Sequence, residues 1–371
     1  MIPPATSANN VQPVVVNSGP AGNYANGIFT GVTVCVPSTS NCQTINDILV
    51  DTGSYGLRLL SSAGGGALTL SLPQQTSGGN PIGECAGFVS GFTWGPIKNA
   101  AITISGEHAS NVPVQVVDPT FSTVPQGCKN GGVPENDTLQ LLGANGILGV
   151  GPFAQDCGTQ CTLTGTSNPG WYYSCAGNSC QVIPMPLAQQ VQNPVSLFAT
   201  DNNGVIVELP AVSNPAPTLS GSLVFGIGTQ SNNALGGASI FPLDTDGNIS
   251  TSYKGQTYPA FVDSGSNAYF FLDSNTTGSP TCPSNSGFYC PALTANLSAT
   301  TSSGRVSETI NFSVSNADTL FSTTANAVFN TLGGPNSGMF DWGLPFFYGR
   351  NVYNAIEAKS TPGGVGPYWA Y

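Results

Sequence analysis

Charge is what this sequence has least of. Only 7% of its 371 residues are Asp, Glu, Lys or Arg, against roughly 25% in an ordinary soluble domain. Seven residues are basic (Arg58, Lys98, Lys129, Lys254, Arg305, Arg350 and Lys359), and they stand apart from one another. No phosphate-neutralising patch can be built from them, which excludes nucleic acid as a partner. The single histidine, His108, lies between Gly106-Glu107 and Ala109-Ser110 in a segment that reads as a loop. A Ser-His-Asp triad would rest on it alone, and no Gly-X-Ser-X-Gly elbow accompanies it, so it reads as a solvated side chain. No apolar run is long enough to cross a membrane as a helix. The first ten residues, MIPPATSANN, lack the basic and apolar regions of an export signal. The Ala-Glu-Lys-Leu richness of helical proteins is also missing.

Gly, Pro, Ser, Thr and Asn supply the polarity instead, with 47 glycines and 29 prolines. That mixture favours short strands joined by many turns, and the fold class is mainly β. Strand-like runs include Val14–Val16, Ile28–Val36, Ala100–Ser105, Val112–Val117, Val205–Leu209 and Ser222–Ile227, separated at short intervals by turn residues. Helical candidates are few and short, Leu187–Gln192 and Val352–Ala358. The length implies two or three domains. A net charge of −11 and a pI near 4.1 are compatible with an acidic working environment.

The ten cysteines fall largely in close pairs: Cys35 and Cys42, Cys157 and Cys161, Cys175 and Cys180, Cys282 and Cys290. Cys85 and Cys128 remain as a long-range pair. Such spacing suits local disulfides in an oxidising compartment, although spacing does not fix connectivity. Cys157, Cys161, Cys175 and Cys180 also loosely match a four-cysteine zinc site, but nothing else points to a reducing compartment. An exported protein is expected, with its signal or lipid anchor absent from this sequence.

The most informative pattern is a repeat. Ile48-Leu49-Val50 leads into Asp51-Thr52-Gly53-Ser54, and Ala260-Phe261-Val262 leads into Asp263-Ser264-Gly265-Ser266. A buried strand running into Asp, a hydroxyl residue and Gly holds a carboxylate at a tight turn with little freedom. Each copy is followed, later in its half, by an apolar-Gly element: Gly146-Ile147-Leu148-Gly149-Val150-Gly151, then Trp342-Gly343-Leu344-Pro345-Phe346-Phe347. Duplication of a β lobe explains the order. The boundary is expected within Gln192–Asn203, where Asn193-Pro194 and Asp201-Asn202-Asn203-Gly204 break the apolar pattern.

These motifs resemble the pepsin-like aspartic peptidase superfamily over most of the chain. Asp51-Thr52-Gly53-Ser54 with Leu57-Arg58-Leu59-Leu60 is similar to the N-lobe active-site strand, and Gly146-Ile147-Leu148-Gly149 to the element passing behind it. Gly221-Ser222-Leu223-Val224-Phe225-Gly226 resembles the strand that opens the C-lobe, and Phe88 to Gly95 sits where a flap hairpin would be. Ala199 to Val205 and Asp341 to Phe347 further resemble an uncharacterised family of exported bacterial proteins. The resemblance implies a bilobal fold: two related β-barrel lobes, residues 1–195 and 196–371, with a central cleft.

It also implies chemistry. Asp51 and Asp263 would share one proton and activate water to hydrolyse a peptide bond, with no metal or organic cofactor. Thr52 and Ser264 would lock the turns together, Ser54 and Ser266 would bond the outer carboxylate oxygens, and Gly53 and Gly265 would allow close approach. The pattern departs at three places. Phe88 stands where the family has a flap tyrosine, leaving Trp94 or Tyr55 as substitutes. Arg58 replaces the tryptophan that supports that tyrosine, and would either approach the dyad or point to solvent. Asp341 puts a carboxylate where an apolar residue is expected. The sequence thus reads as a monomeric endopeptidase acting on peptide or protein substrates in acid. The alternatives are a binding protein for a peptide, glycan or protein partner, or a disulfide-stabilised surface protein.

Overall fold

The computed structural model describes residues 8–129 and 131–371, so all but the last three residues of MIPPATSANN lie outside it. Strands hold 46% of the chain and helices 11%. Local burial explains the preference: in Gly27–Cys35, buried Val32 and Val34 alternate with half-exposed Gly31 and Thr33. Such period-two patterns leave one apolar face that only a second layer can cover.

Six strands close that layer into a barrel. Their order is Gly91–Ile104, Glu107–Val117, Tyr55–Leu60, Gly146–Val150, Cys42–Asp51 and Gly27–Cys35, the last returning to the first with Thr33 opposite Thr103. Gly146–Val150 is parallel to Cys42–Asp51 and antiparallel to Tyr55–Leu60. It therefore lies between the strand that enters the Asp51 turn and the strand that leaves it. A Cβ on Gly149 would fall 2.6 Å from the Tyr55 backbone nitrogen, so the crossing requires glycine. Asn336–Trp342 repeats the arrangement, parallel to Gln256–Val262 and antiparallel to Tyr269–Leu272. The duplicated motif is thus a duplicated topology, and the fold is bilobal and pepsin-like.

A continuous sheet links the halves. Val11–Asn17 pairs with Leu219–Phe225, followed by Gly204–Glu208, Asn351–Ala355 and Tyr368–Ala370. The expected helix at Val352–Ala358 is corrected by this sheet. Val352, Tyr353, Asn354 and Ala355 are all buried in a strand flanked on both sides, and a central strand loses the period-two signal. Of Leu187–Gln192, only Leu187–Gln189 is helical, as a single 3-10 turn. His108 lies on the Glu107–Val117 strand and not in a loop. It is exposed, and its ring meets Thr103 Oγ1 at 3.2 Å and Ser110 Oγ at 3.1 Å, with no carboxylate partner.

All ten cysteines form disulfides: Cys35–Cys42, Cys85–Cys128, Cys157–Cys161, Cys175–Cys180 and Cys282–Cys290. Two of these bonds consume the four sulfurs that matched a zinc pattern, so that site does not form.

One asparagine ties the halves together beyond the sheet. Asn26 is buried with φ 53°, a left-handed conformation that Asn tolerates better than most residues. Its Nδ2 donates to the Asn267 carbonyl at 2.8 Å and the Phe329 carbonyl at 2.9 Å. Its Oδ1 accepts from the Phe329 amide and the Tyr348 hydroxyl, both at 2.7 Å. Asn26→Ala should therefore cost about 3 kcal/mol, because it orphans the Asn267 and Phe329 carbonyls, the Phe329 amide and the Tyr348 hydroxyl in the second half. Denaturant unfolding of the variant measures the loss.

Candidate active site

Each Asp turn is fixed by its own amide and hydroxyl donors. The Gly53 amide donates to Asp51 Oδ1 at 2.8 Å, and Ser54 Oγ to Asp51 Oδ2 at 2.5 Å. In the second turn the Gly265 amide donates to Asp263 Oδ1 at 2.7 Å, and Ser266 Oγ lies 2.9 Å from Asp263 Oδ2. Thr52 and Ser264 brace the turns reciprocally. The Thr52 amide donates to Ser264 Oγ at 3.1 Å, and the Ser264 amide to Thr52 Oγ1 at 2.9 Å. Each hydroxyl then donates onward, Ser264 Oγ to the Val50 carbonyl at 2.8 Å and Thr52 Oγ1 to the Val262 carbonyl at 3.3 Å.

This brace sets the two carboxyls face to face. The Gly53 amide also reaches Asp263 Oδ1, at 3.1 Å, and the two carboxyls are within hydrogen-bonding reach of each other. A Cβ on Gly53 would fall 2.6 Å from Asp263 Cγ, and one on Gly265 would fall 2.7 Å from Asp51 Cγ, so both positions exclude a side chain. Burial first, and then the neighbouring Asp51 and Asp341 carboxyls, push the Asp263 carboxyl well above the ordinary range. The pair holds a proton that isolated carboxylates would release.

Around the pair, Tyr55 packs edge-on to Phe153 with ring centroids 5.3 Å apart. Tyr24, which the sequence did not mark, places its hydroxyl 3.4 Å from the Gly265 carbonyl. Burial and the charges of Asp51 and Asp263 raise both phenols. Both hydroxyls thus stay protonated beside the dyad. A cavity of about 90 Å³ adjoins it, lined by Ser54, Tyr55, Arg58, Phe88, Asp156 and Trp171 among others. A larger groove of about 430 Å³ runs along Gln12, Thr30, Thr33, Thr44 and Thr103, and shares no residue with the Asp turns.

The flap region differs from both expectations for Arg58. Its guanidinium neither approaches the dyad nor points to solvent. It is buried, with Nη2 2.8 Å from Glu84 Oε1 and 3.0 Å from Asp156 Oδ2, while Nη1 donates to the Tyr55 carbonyl at 2.7 Å. Burial alone would lower its pKa, but the Glu84 and Asp156 charges more than offset this. Tyr172 donates to Asp156 Oδ1 at 2.6 Å. Burial and then the Glu84 charge push the Asp156 carboxyl up, and the Arg58 charge and the Tyr172 hydrogen bond only partly counter them. Glu84 belongs to Asn80–Phe88, the first arm of the hairpin that turns at Val89-Ser90 into Gly91–Ile104. Arg58 therefore anchors the base of that hairpin, and its guanidinium lies 5.6 Å from the Phe88 ring centroid near the tip.

Trp94 does not stand in for a flap hydroxyl. It is fully buried beside the Cys85–Cys128 disulfide, Phe121 and Tyr173, and its Nε1 donates to the Ser122 carbonyl at 3.2 Å. Side chains alternate across a strand, so the face that carries Trp94 turns away from the cleft. Among the described residues, Cys282, Cys290 and Asp318 come close enough to suggest a metal site. Both of those sulfurs are in one disulfide and offer no thiolate.

Two predictions follow from these charges. Arg58→Ala strands Glu84 and Asp156 without a cation and should destabilise the fold by about 3–5 kcal/mol, measurable by denaturant unfolding. The second concerns pH. Asp263, Asp341, Asp156 and Glu107 all have folded pKa values raised above their unfolded ones, each with burial as the first cause. The folded state therefore binds more protons than the unfolded state. Stability is fully present below the ordinary carboxyl pKa of about 4 and is lost as pH rises through the folded values. Scanning calorimetry should give a higher Tm in mild acid than at neutral or alkaline pH.

A family profile described as "Protein of unknown function (DUF3443)" matches residues 6–371, and no curated protein matches this chain. Among solved structures, the crystal structure of aspartic proteinase from Irpex lacteus superposes with a TM-score of 0.55 at 16% sequence identity. That match covers 97% of this chain and 96% of the other. The match confirms the architecture, while family membership rests on the profile: the chain belongs to the DUF3443 family.

Proposed function

We propose that this protein is an aspartic endopeptidase acting at acidic pH. The observation that carries the reading is the Gly53 amide bonded to both Asp51 Oδ1 and Asp263 Oδ1. One donor reaching two acids supports a proton shared between them. In this reading the ionised member of the pair draws a proton from water as the oxygen attacks the scissile carbonyl, and the protonated member polarises that carbonyl. Thr52, Gly53, Ser54, Ser264, Gly265 and Ser266 keep the two acids in position. Phe88, Tyr55 and Arg58 border the adjoining cavity, which would take a substrate side chain next to the cleaved bond. The lobes would divide near residue 195, and the protein would work as an exported monomer on peptide or protein substrates. Five disulfides support the exported location.

One observation favours a second reading. Phe88 brings no hydroxyl to the flap tip and rests near the Arg58 guanidinium. A cleft with a dyad but no flap phenol could serve to bind a peptide, glycan or protein without cutting it. Cleavage of an unfolded protein between about pH 2 and 7 separates the two readings. A peptidase gives a bell-shaped acidic profile, and Asp51→Asn or Asp263→Asn each lowers the rate by about 10²–10⁴-fold or more. Folded wild type that is as inert as both variants would leave the binding reading.

A further inference from the structure

Asp341 is the place where the two turns cease to be alike. Ser54 Oγ bonds one carboxyl oxygen, that of Asp51. Ser266 Oγ meets two, Asp263 Oδ2 at 2.9 Å and Asp341 Oδ2 at 2.5 Å. A hydroxyl has one proton to give. If both acids were ionised, one of these contacts would set lone pair against lone pair.

We infer that Asp341 is a positioning residue that stays protonated and donates to Ser266 Oγ, freeing the Ser266 hydroxyl to donate to Asp263. The resulting chain, Asp341 to Ser266 to Asp263, gives every short contact a proton. The surroundings agree. Asp341 is buried on Asn336–Trp342, with Phe261 and Phe270 as its neighbours on the flanking strands. Its Oδ1 is buried without a partner, which is far cheaper for a neutral acid than for a carboxylate. The titratable groups that face it are the acids of the two turns, Asp51 and Asp263. Among the described residues, the ion pairs belong to Arg58 and lie elsewhere.

The consequence for chemistry rests on the proposed peptidase reading. A donor behind Ser266 polarises its hydroxyl and strengthens its bond to Asp263. The singly protonated dyad is stabilised relative to the doubly protonated one, which extends activity further into acid. Asp341 does not touch substrate in this scheme and acts through Ser266.

Infrared spectra of wild type, Asp341→Asn and Ser266→Ala at mildly acidic pH test the protonation without needing activity. The wild-type minus Asp341→Asn difference should contain the carbonyl stretch of a hydrogen-bonded carboxylic acid. In Ser266→Ala, that band should move to higher frequency as its acceptor is lost. A difference containing only carboxylate stretches, or a band that ignores Ser266→Ala, would overturn the relay. Because Ser266→Ala retains Asp341, it decides the matter even if Asp341→Asn does not fold. Kinetics give the second readout. Asp341→Leu should cost about tenfold in kcat/KM and raise the acidic limb, and Asp341→Asn, whose amide can still donate, should restore the limb. A limb unmoved in Asp341→Leu would also sink the relay. A protein that cleaves nothing overturns the peptidase reading alone, since the infrared result stands by itself.

Discussion

Everything in the cleft depends on the reciprocal bond between Thr52 and Ser264. Two carboxyls brought together repel once both ionise, and nothing in the chemistry of aspartate holds them face to face. The brace supplies that constraint with neutral groups. Each hydroxyl accepts an amide proton from the opposite turn and passes its own proton to a buried strand carbonyl. No donor or acceptor is left over at the centre, so the repulsion between the acids is opposed by bonds that would have to break together. The crossing strands Gly146–Val150 and Asn336–Trp342 then carry this rigidity into both halves.

The same economy recurs away from the dyad. With few basic residues to spare, buried acids in this protein meet other acids more often than cations. Asp263 faces Asp51, Asp156 faces Glu84, and Glu107 faces Asp201, and in each couple one carboxyl is raised by burial and by its neighbour. Among the described residues, only Arg58 forms ion pairs. Acids raised in this way make the folded state bind more protons than the unfolded one.

Arg58 also shows how one buried cation can shape the groups around it. A guanidinium in a buried position demands anions, and Glu84 and Asp156 supply them from two different segments. Excess negative charge then demands a proton or a hydroxyl, which Tyr172 provides. The hairpin is thereby held through its base by charge. Its tip carries Phe88, an exposed Val89 and Ser90, and no phenol.

How much of this was legible beforehand follows the range of the interactions. The two Asp turns, the mainly β class and the four close cysteine pairs are written in short stretches, because a tight turn demands particular residues and neighbouring cysteines meet across it, whereas Cys85–Cys128 spans 43 residues. The strand at Val352 read as a helix because a strand covered on both faces loses its alternation. Arg58 gave no hint of Glu84 or Asp156, which lie far away in sequence and meet it only when the hairpin folds over the barrel. Asn26 and Tyr24 carry no motif in the sequence, yet the closure of the two halves makes one a clamp and sets the other beside the dyad. Asp341 was visible as an oddity, but only the packing of its strand against the second turn brings it to Ser266. The sequence by itself determined which carboxylates sit at tight turns, since that is a local property of backbone and side chain. Tertiary structure decided which charges meet and where the protons must go, because those depend on distances between segments that the chain brings together only on folding.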